Sequence, residues 1–418
     1  MESHGTGSPL LPSVRGVDWT ASSLDDVLRM PLFLSDNTTS LDFFCEVEET
    51  RESSVLVALE ALSIQPTKFT TFSYTSEIPV DISSQLCCQF FTTWIRLRSV
   101  TLPEGYLTQY QIFAPLAKLP ELVEINFCWC TTIRRPSTTI PLTVLDPLSF
   151  PRLRHLGATL KLESWVSLME NPHRPPLLES LTIADGWMVQ PRSLQHLALA
   201  LPSAYPHLKS IILYLSTTTF VQANPISFDL FRPLLSCHAI EDFVVYHSQT
   251  LEFSEDDVKD MAQSWPKLRI LGLAADPFTH SLDLTKENSS YESLQLLGSI
   301  FPELTELHVF VDARNFPSVP EKRILSNKIT RVRVGTSEPP DNLLNFAMTF
   351  ARIFPNATSV MYGHYAWSIG RDVVIEREEQ KEYEETEEMW RDVEKYIMGF
   401  LESQSLVRSQ LRKSNGQM

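Results

Sequence analysis

The chain has 418 residues, 43% of them apolar and 21% charged, with a formal net charge of −16. That balance is globular rather than disordered. No uncharged apolar run of about 18 residues offers a standard membrane-spanning helix, and the acidic charge disfavours a bare nucleic-acid binder.

Glycine is scarce, 13 residues against 28 prolines. Neither G-x-G-x-x-G nor G-x-x-x-x-G-K-[ST] occurs, which argues against a Rossmann or P-loop nucleotide site. Residues 1–10 read as a disordered N-terminus without the basic and apolar regions of a signal peptide. From Leu11 the chain repeats itself. Eight segments share aromatic-or-Leu, Pro, x, L, x, x, L, x, L: LPSVRGVDW from Leu11, LPELVEINF from Leu119, FPRLRHLGA from Phe150, PPLLESLTI from Pro175, YPHLKSIIL from Tyr205, WPKLRILGL from Trp265, FPELTELHV from Phe301 and FPNATSVMY from Phe354. Five more fit without the proline, from Asn37, Lys68, Arg96, Ala239 and Lys328. The first apolar slots are then Val14, Thr38, Phe69, Leu97, Leu122, Leu153, Leu178, Leu208, Ile240, Leu268, Leu304, Ile329 and Ala357, at intervals of 24 to 36 residues.

This is the leucine-rich-repeat pattern L-x-x-L-x-L-x-x-[N/C] with an irregular period. Its ninth position holds small or polar residues, among them Ser22, Cys130, Gly186, Asp312 and Ser337. Such residues suit a chain turning off a strand, where backbone groups need partners. Cys130 therefore has a structural place. No second Cys/His pair at ligand spacing turns Cys128-x-Cys130 into a metal site. The six cysteines fit free, buried thiols in a reducing compartment.

Helices are expected between the strands: over SVLVALEAL from Ser54, after an N-cap at Ser254 with acids in the first turn, from Ser290, and from Asn342. An aromatic residue followed by proline ends several of them. The predicted fold is therefore α/β: a leucine-rich-repeat solenoid of about thirteen irregular repeats over 11–370, with parallel strands inside and helices outside. The long intervals around 277–290 and 131–148 predict protruding loops.

Past Arg371 the repeat stops. Between Glu376 and Lys395 stand ten acids and four bases. Tyr383, Trp390, Val393, Ile397 and Phe400 or Leu401 make one helix face apolar. Residues 371–405 are expected to form an acidic amphipathic helix capping the last repeat, with docking to a basic partner as the other reading. Residues 406–418 are expected to be a disordered tail.

A proline-punctuated array of this kind, with FPxLxxLxL between variable helices, resembles the F-box/leucine-rich-repeat proteins expanded in fungi. The resemblance covers residues 10 to 365, the repeat region. An L-P-x-E-[IL]-L F-box start is not found, and DVLRMPLFL from Asp26 falls inside a repeat interval. The resemblance implies the substrate-recognition part of an SCF-type ubiquitin ligase. Contact with its Skp adaptor would require an F-box upstream of Met1. The alternative is a free-standing repeat scaffold or regulator.

No nucleophile elbow G-x-S-x-G and no H-E-x-x-H occurs, so no catalytic residue and no cofactor or metal is assigned. His155, His247, His308 and His364 read as strand-face or surface histidines. Binding of another protein on the concave face is the expected activity. Positions seven and eight of the repeat nominate an exposed aromatic stripe of Trp129, Tyr214, Tyr246, His247 and Phe310. The competing reading tucks these residues under the ascending loops as a second small core. Neither a nucleic-acid nor a membrane partner is expected, and the expected location is cytoplasmic or nuclear.

Overall fold

The computed structural model describes residues 11, 13–45, 68–76, 91–103, 106–128, 140–185, 189–215, 226–247, 251–273, 291–311, 313, 328–335, 337–362 and 377–415. The chain divides into two compact units, Met1–Gly186 with Ile369–Arg371, and Trp187–Ser368 with Asp372–Met418. The repeat pattern spans both as 11–370. A division is physically simple there, because each repeat touches only its neighbours.

The first unit runs β1 (Gly16–Ala21), α1 (Leu24–Arg29), β2 (Ser40–Cys45), β3 (Thr71–Ser76), β4 (Ser99–Pro103), α2 (Tyr110–Ala117), β5 (Glu124–Cys128), β6 (His155–Thr159), α3 (Leu162–Glu170) and β7 (Ser180–Asp185). The second begins with α4 (Pro191–Ala204), β8 (Ser210–Leu215), β9 (Ile226–Ser227), β10 (Asp242–His247), β11 (Leu251–Glu252), α5 (Glu255–Ser264) and β12 (Ile270–Leu273). It continues with α6 (Tyr291–Ile300), β13 (Glu306–Val309), β14 (Arg331–Gly335), α7 (Leu343–Ile353), β15 (Ser359–Tyr362) and α8 (Arg377–Asn415). This is an α/β repeat solenoid with thirteen parallel repeat strands. Each of the thirteen starts two residues after the first apolar slot read from the sequence.

The register is constant within each unit. Gly16, Ser40, Thr71, Ser99, Glu124, His155 and Ser180 align across β1 to β7. Ser210, Asp242, Ile270, Glu306, Arg331 and Ser359 align from β8 to β15. Just before the strands a second ladder runs. Thr39 and Ser40 both donate their N–H to Arg15 O at 2.7 and 3.0 Å, and Thr358 and Ser359 do so to Thr330 O at 2.7 and 3.3 Å. The same two-to-one bonding occurs at each repeat junction between within each unit. Where that position is threonine, as at Thr70, Thr305 and Thr330, its hydroxyl donates to the same carbonyl.

The proline slot has a clear geometry. Tyr205, Trp265 and Phe354 close their helices by donating N–H to Leu201, Met261 and Phe350 carbonyls at 2.8, 2.8 and 2.9 Å. Their own carbonyls then accept from Leu208, Leu268 and Ala357, three residues on, each at 3.1 Å. That is a β-turn with proline second, the position for which its fixed φ is preset. The aromatic residue and the first apolar slot are both buried, while the proline between them is exposed or, at Pro355, partly so. Thr38 fills its slot by donating Oγ1 to Val14 O at 3.2 Å.

The described turns need few glycines. Positive φ occurs among the described residues at Gly335 (56°) and at Phe150 (50°). Phe150 reaches its proline from a DPLS loop instead of a helix, and its ring is held against Phe113 at 5.4 Å. For a bulky residue that conformation costs on the order of 1–3 kcal/mol.

Among the described residues, some intervals carry 3-10 turns where others carry an α-helix. Leu142–Val144, Phe228–Leu230 and Arg232–Ser236 are single 3-10 turns. Pro141, Pro147 and Pro233 break the helical hydrogen-bond series in those intervals. β9 and β11 pair with each other in a separate two-stranded parallel sheet, which the repeat pattern did not signal. The expected helix from Ser54 and the loop at 277–290 lie outside the described residues, as does 131–139. Ser254 caps α5 as expected. Its Oγ accepts Asp257 N–H at 3.2 Å, and Asp257 accepts Ser254 N–H at 2.8 Å. Asn342 caps α7 through Asn345 N–H at 3.0 Å.

The acidic α8 covers the end of the second unit. Trp390, Val393 and Ile397 are buried. Trp390 stacks on Tyr362 (6.0 Å, 10°), meets Phe346 edge-on (5.6 Å, 86°) and donates Nε1–H to Ser337 O at 2.8 Å. Glu394 accepts the N–H of Val360, on the last strand, at 3.0 Å. An unpaired strand edge is a template for aggregation, and a covering helix removes that hazard. The helix continues to Asn415, past the boundary expected at 405. No glycine or proline stands between Ser403 and Asn415 to stop it.

Candidate interaction surface

Each repeat strand turns alternate residues to the core and to a second face. On that second face the two units differ. In the second unit its middle is buried, at Tyr214, Val244, Tyr246, Glu306 and His308, while Ile212, Ile270 and Arg333 are half-buried and Arg331 is exposed. Tyr214 and Tyr246 stack at 4.9 Å and 8°. Gly272 on β12 lets the chain come close, since a Cβ there would lie 2.6 Å from Val244 Cγ1. Tyr246 OH bonds His308 Nδ1 at 3.0 Å, and His308 Nε2 meets Glu306 at 2.8 Å. A carboxylate can only accept, so Nε2 carries the proton and Nδ1 accepts from the phenol. Arg331 adds a bond to Glu306 at 2.7 Å and Arg333 lies 3.7 Å away.

Charge follows from that geometry. The His308 bond, aided by the two arginines, holds Glu306 below its ordinary range. Burial pushes His308 down, against the pull of Glu306. Burial also pushes Asp242 up, with Arg269 opposing, and Asp242 Oδ1 is buried without a hydrogen-bond partner among the described residues. Tyr246, His308 and Glu306 expose 5%, 5% and 6% of their surface. The chain of bonds ties β10 to β13 across β12 and offers no reactive group to solvent.

The nominated stripe is therefore placed as follows. Tyr214, Tyr246, His247 and Phe310 are all buried. As placed, they do not form an exposed aromatic stripe. Tyr214 and Tyr246 share a face. His247, the next residue along β10, points to the core. Phe310 lies just past β13. Trp129 lies outside the described residues, and so does His364. His155 is exposed, whereas His247 and His308 are buried and not at the surface.

On β1 to β5 of the first unit the second face carries mostly polar side chains that are exposed or half-buried. One row reads Asp18, Asp42, Ser73, Thr101 and Asn126 by register. Its neighbour reads Ser40, Thr71, Ser99, Glu124, His155 and Ser180. Asp18, Asp42 and His155 are exposed and the others half-buried. Glu124 is engaged, accepting from Ser99 Oγ and Asn126 Nδ2 at 2.8 Å each. No lysine or arginine stands on these rows. Arg98 and Arg154, just before the strands, pair with Glu121 at 3.1 Å and with Glu179.

No protein-family model matches the chain, and no curated protein does either. Among the described residues no group of three or more His, Cys, Asp or Glu could hold a metal ion, and no helix is long and apolar enough to cross a membrane. Cys237 is buried, its thiol pushed up to about 11 by desolvation, which leaves it unreactive near neutral pH.

The sequence carries a signal for this surface in the outward strand positions rather than in its aromatic residues. On β1 to β5 the outward positions are mostly Ser, Thr, Asp or Asn, whereas β8, β10 and β13 carry Ile212, Tyr214, Val244, Tyr246 and His308 there, beside the charged Asp242, Glu306, Arg331 and Arg333. A face left in water keeps polar groups, while a covered one is apolar or internally hydrogen-bonded.

Proposed function

We propose that this chain is a protein-interaction module that seats its partner on the second face of the first unit. The observation that carries this reading is that Tyr214 and Tyr246 of the second unit are buried, while the polar row from Asp18 to Asn126 keeps its side chains exposed or half-buried. Protein surfaces that bind partners are read at open faces, and a repeat solenoid offers them in series. On the family resemblance, the finer reading is substrate recognition for an SCF-type ubiquitin ligase. It is supported by the repeat pattern alone. A free-standing repeat scaffold is the second reading, favoured by the placement of Asp26–Leu34: they form α1 and a 3-10 turn between β1 and β2, inside a repeat.

Two experiments separate these. A photo-crosslinking residue at Thr101 should trap a partner in cells, while one at the exposed Leu199 on α4 should not; equal labelling from both refutes the assigned face. Co-purification of the full-length native protein with the Skp adaptor supports the ligase reading. Its absence removes that reading and leaves the scaffold.

A further inference from the structure

Along α8 the residues Met389, Asp392, Tyr396, Gly399, Ser403 and Leu406 recur at alternating steps of three and four, the spacing that keeps one seam of a helix facing a second helix. All six are exposed. The seam runs beside the face on which Trp390, Val393 and Ile397 are buried, so capping the last repeat leaves it exposed. Three of the exposed large apolar residues, Met389, Tyr396 and Leu406, fall on it. Scattered singly they would need no explanation, but a set aligned on one seam does. Gly399 adds an independent mark. A glycine inside a helix is destabilising relative to alanine, and a Cβ there would meet no atom within 4 Å, so the packing of the described residues does not ask for it.

We propose that a second copy of this chain docks on this seam through its own α8, antiparallel, about a two-fold axis between Ile397 and Met398. Three pairs of seam residues are centred on that one point: Met389 with Leu406, Asp392 with Ser403, and Tyr396 with Gly399. A two-fold axis there sets each residue against its mate in the other copy. The two long apolar side chains then meet, the carboxylate faces a hydroxyl, and the phenol ring lies over the bare glycine. Charge selects the same orientation. Arg377–Glu394 holds nine acids and three bases, and Lys395–Asn415 four bases and one acid; antiparallel pairing lays one half on the other, whereas parallel pairing sets like on like. Beside the central layer Lys395 of each copy faces Glu402 of the other, the flanking positions that fix partner and orientation in paired helices. Within one helix these two stand about 10 Å apart along the axis. The seam is only about 26 Å long, so it buries less than a standard interface and makes a weak, micromolar dimer.

Sedimentation of the full chain over about 1–200 µM should show a monomer–dimer equilibrium. Lys395→Glu and Glu402→Lys each set like charges against one another twice in the dimer and should weaken it about fivefold or more. The double variant Lys395→Glu/Glu402→Lys should return to within about twofold of the parent, because opposite charges face each other again. Tyr396→Ala should weaken the dimer about tenfold with the monomer's thermal unfolding unchanged, since the ring is exposed. Cysteines read the orientation. On oxidation Asp392→Cys/Ser403→Cys should form a covalent dimer, and Ser403→Cys alone should not, its two copies lying about 16 Å apart along the axis. A chain that stays monomeric throughout, single charge variants without effect, a double variant that regains nothing, or a covalent dimer from Ser403→Cys alone overturns the proposal.

Discussion

Truncating Trp390 tests whether α8 is part of the fold or merely lies beside it. The indole is buried, stacked on Tyr362 and edge-on to Phe346, and bonded to Ser337 O at 2.8 Å. Trp390→Ala removes the ring and leaves that carbonyl unpartnered. Buried tryptophan truncations cost about 3–5 kcal/mol, cavity included. Trp390→Phe keeps most of the packing and gives up the hydrogen bond, at about 1–3 kcal/mol. At roughly 2–4 °C per kcal/mol for a unit of this size, the alanine variant should lose about 6–20 °C in Tm and the phenylalanine variant about 2–12 °C. Hydrogen exchange should show protection failing first in β15 and α7, whose exposed surface α8 covers. A Tm shift under about 3 °C for Trp390→Ala, with β15 still protected, would refute the capping role.

Pro266→Ala should cost only about 0.4–1 kcal/mol, because the turn survives and chiefly the unfolded chain gains freedom; Leu268→Ala, two residues on, should cost about 2–5 kcal/mol in the same denaturant titration. Gly272→Ala forces a Cβ to 2.6 Å from Val244 Cγ1 and should destabilise by about 1–3 kcal/mol, with Val244→Ala in the same chain recovering part of the loss. His308 and Glu306 are both pulled below their ordinary values of 6.5 and 4.5. The unfolded chain therefore binds protons first, and stability should fall as pH drops from about 6.5 through the acid range. A chemical-denaturation series on His308→Gln should lose the upper part of that slope. Asp242 has the opposite sign, being raised by burial, so Asp242→Asn should raise Tm at neutral pH; a drop would show that the Arg269 attraction outweighs burial.

The repeat and its phase were legible in the sequence because they are local. An apolar slot at intervals of 24 to 36 residues, in eight repeats two residues after a proline, specifies a turn and the strand after it whatever the neighbours do. Trp390, Val393 and Ile397 declared the cap for the same reason, since a helix face repeats along its own chain. The binding surface was not legible in that way. Whether an outward residue meets water depends on what another segment lays over it, and the strand pattern is the same in either case. Tyr214 and Tyr246 look like interface anchors at their positions in the repeat; only the fold joins Tyr246 to His308, 62 residues later, and buries both. Asp18 and Asp42 are far apart along the chain and unremarked within their own segments. The constant register of β1 and β2 sets them side by side, and the open face above them decides that their charges face solvent.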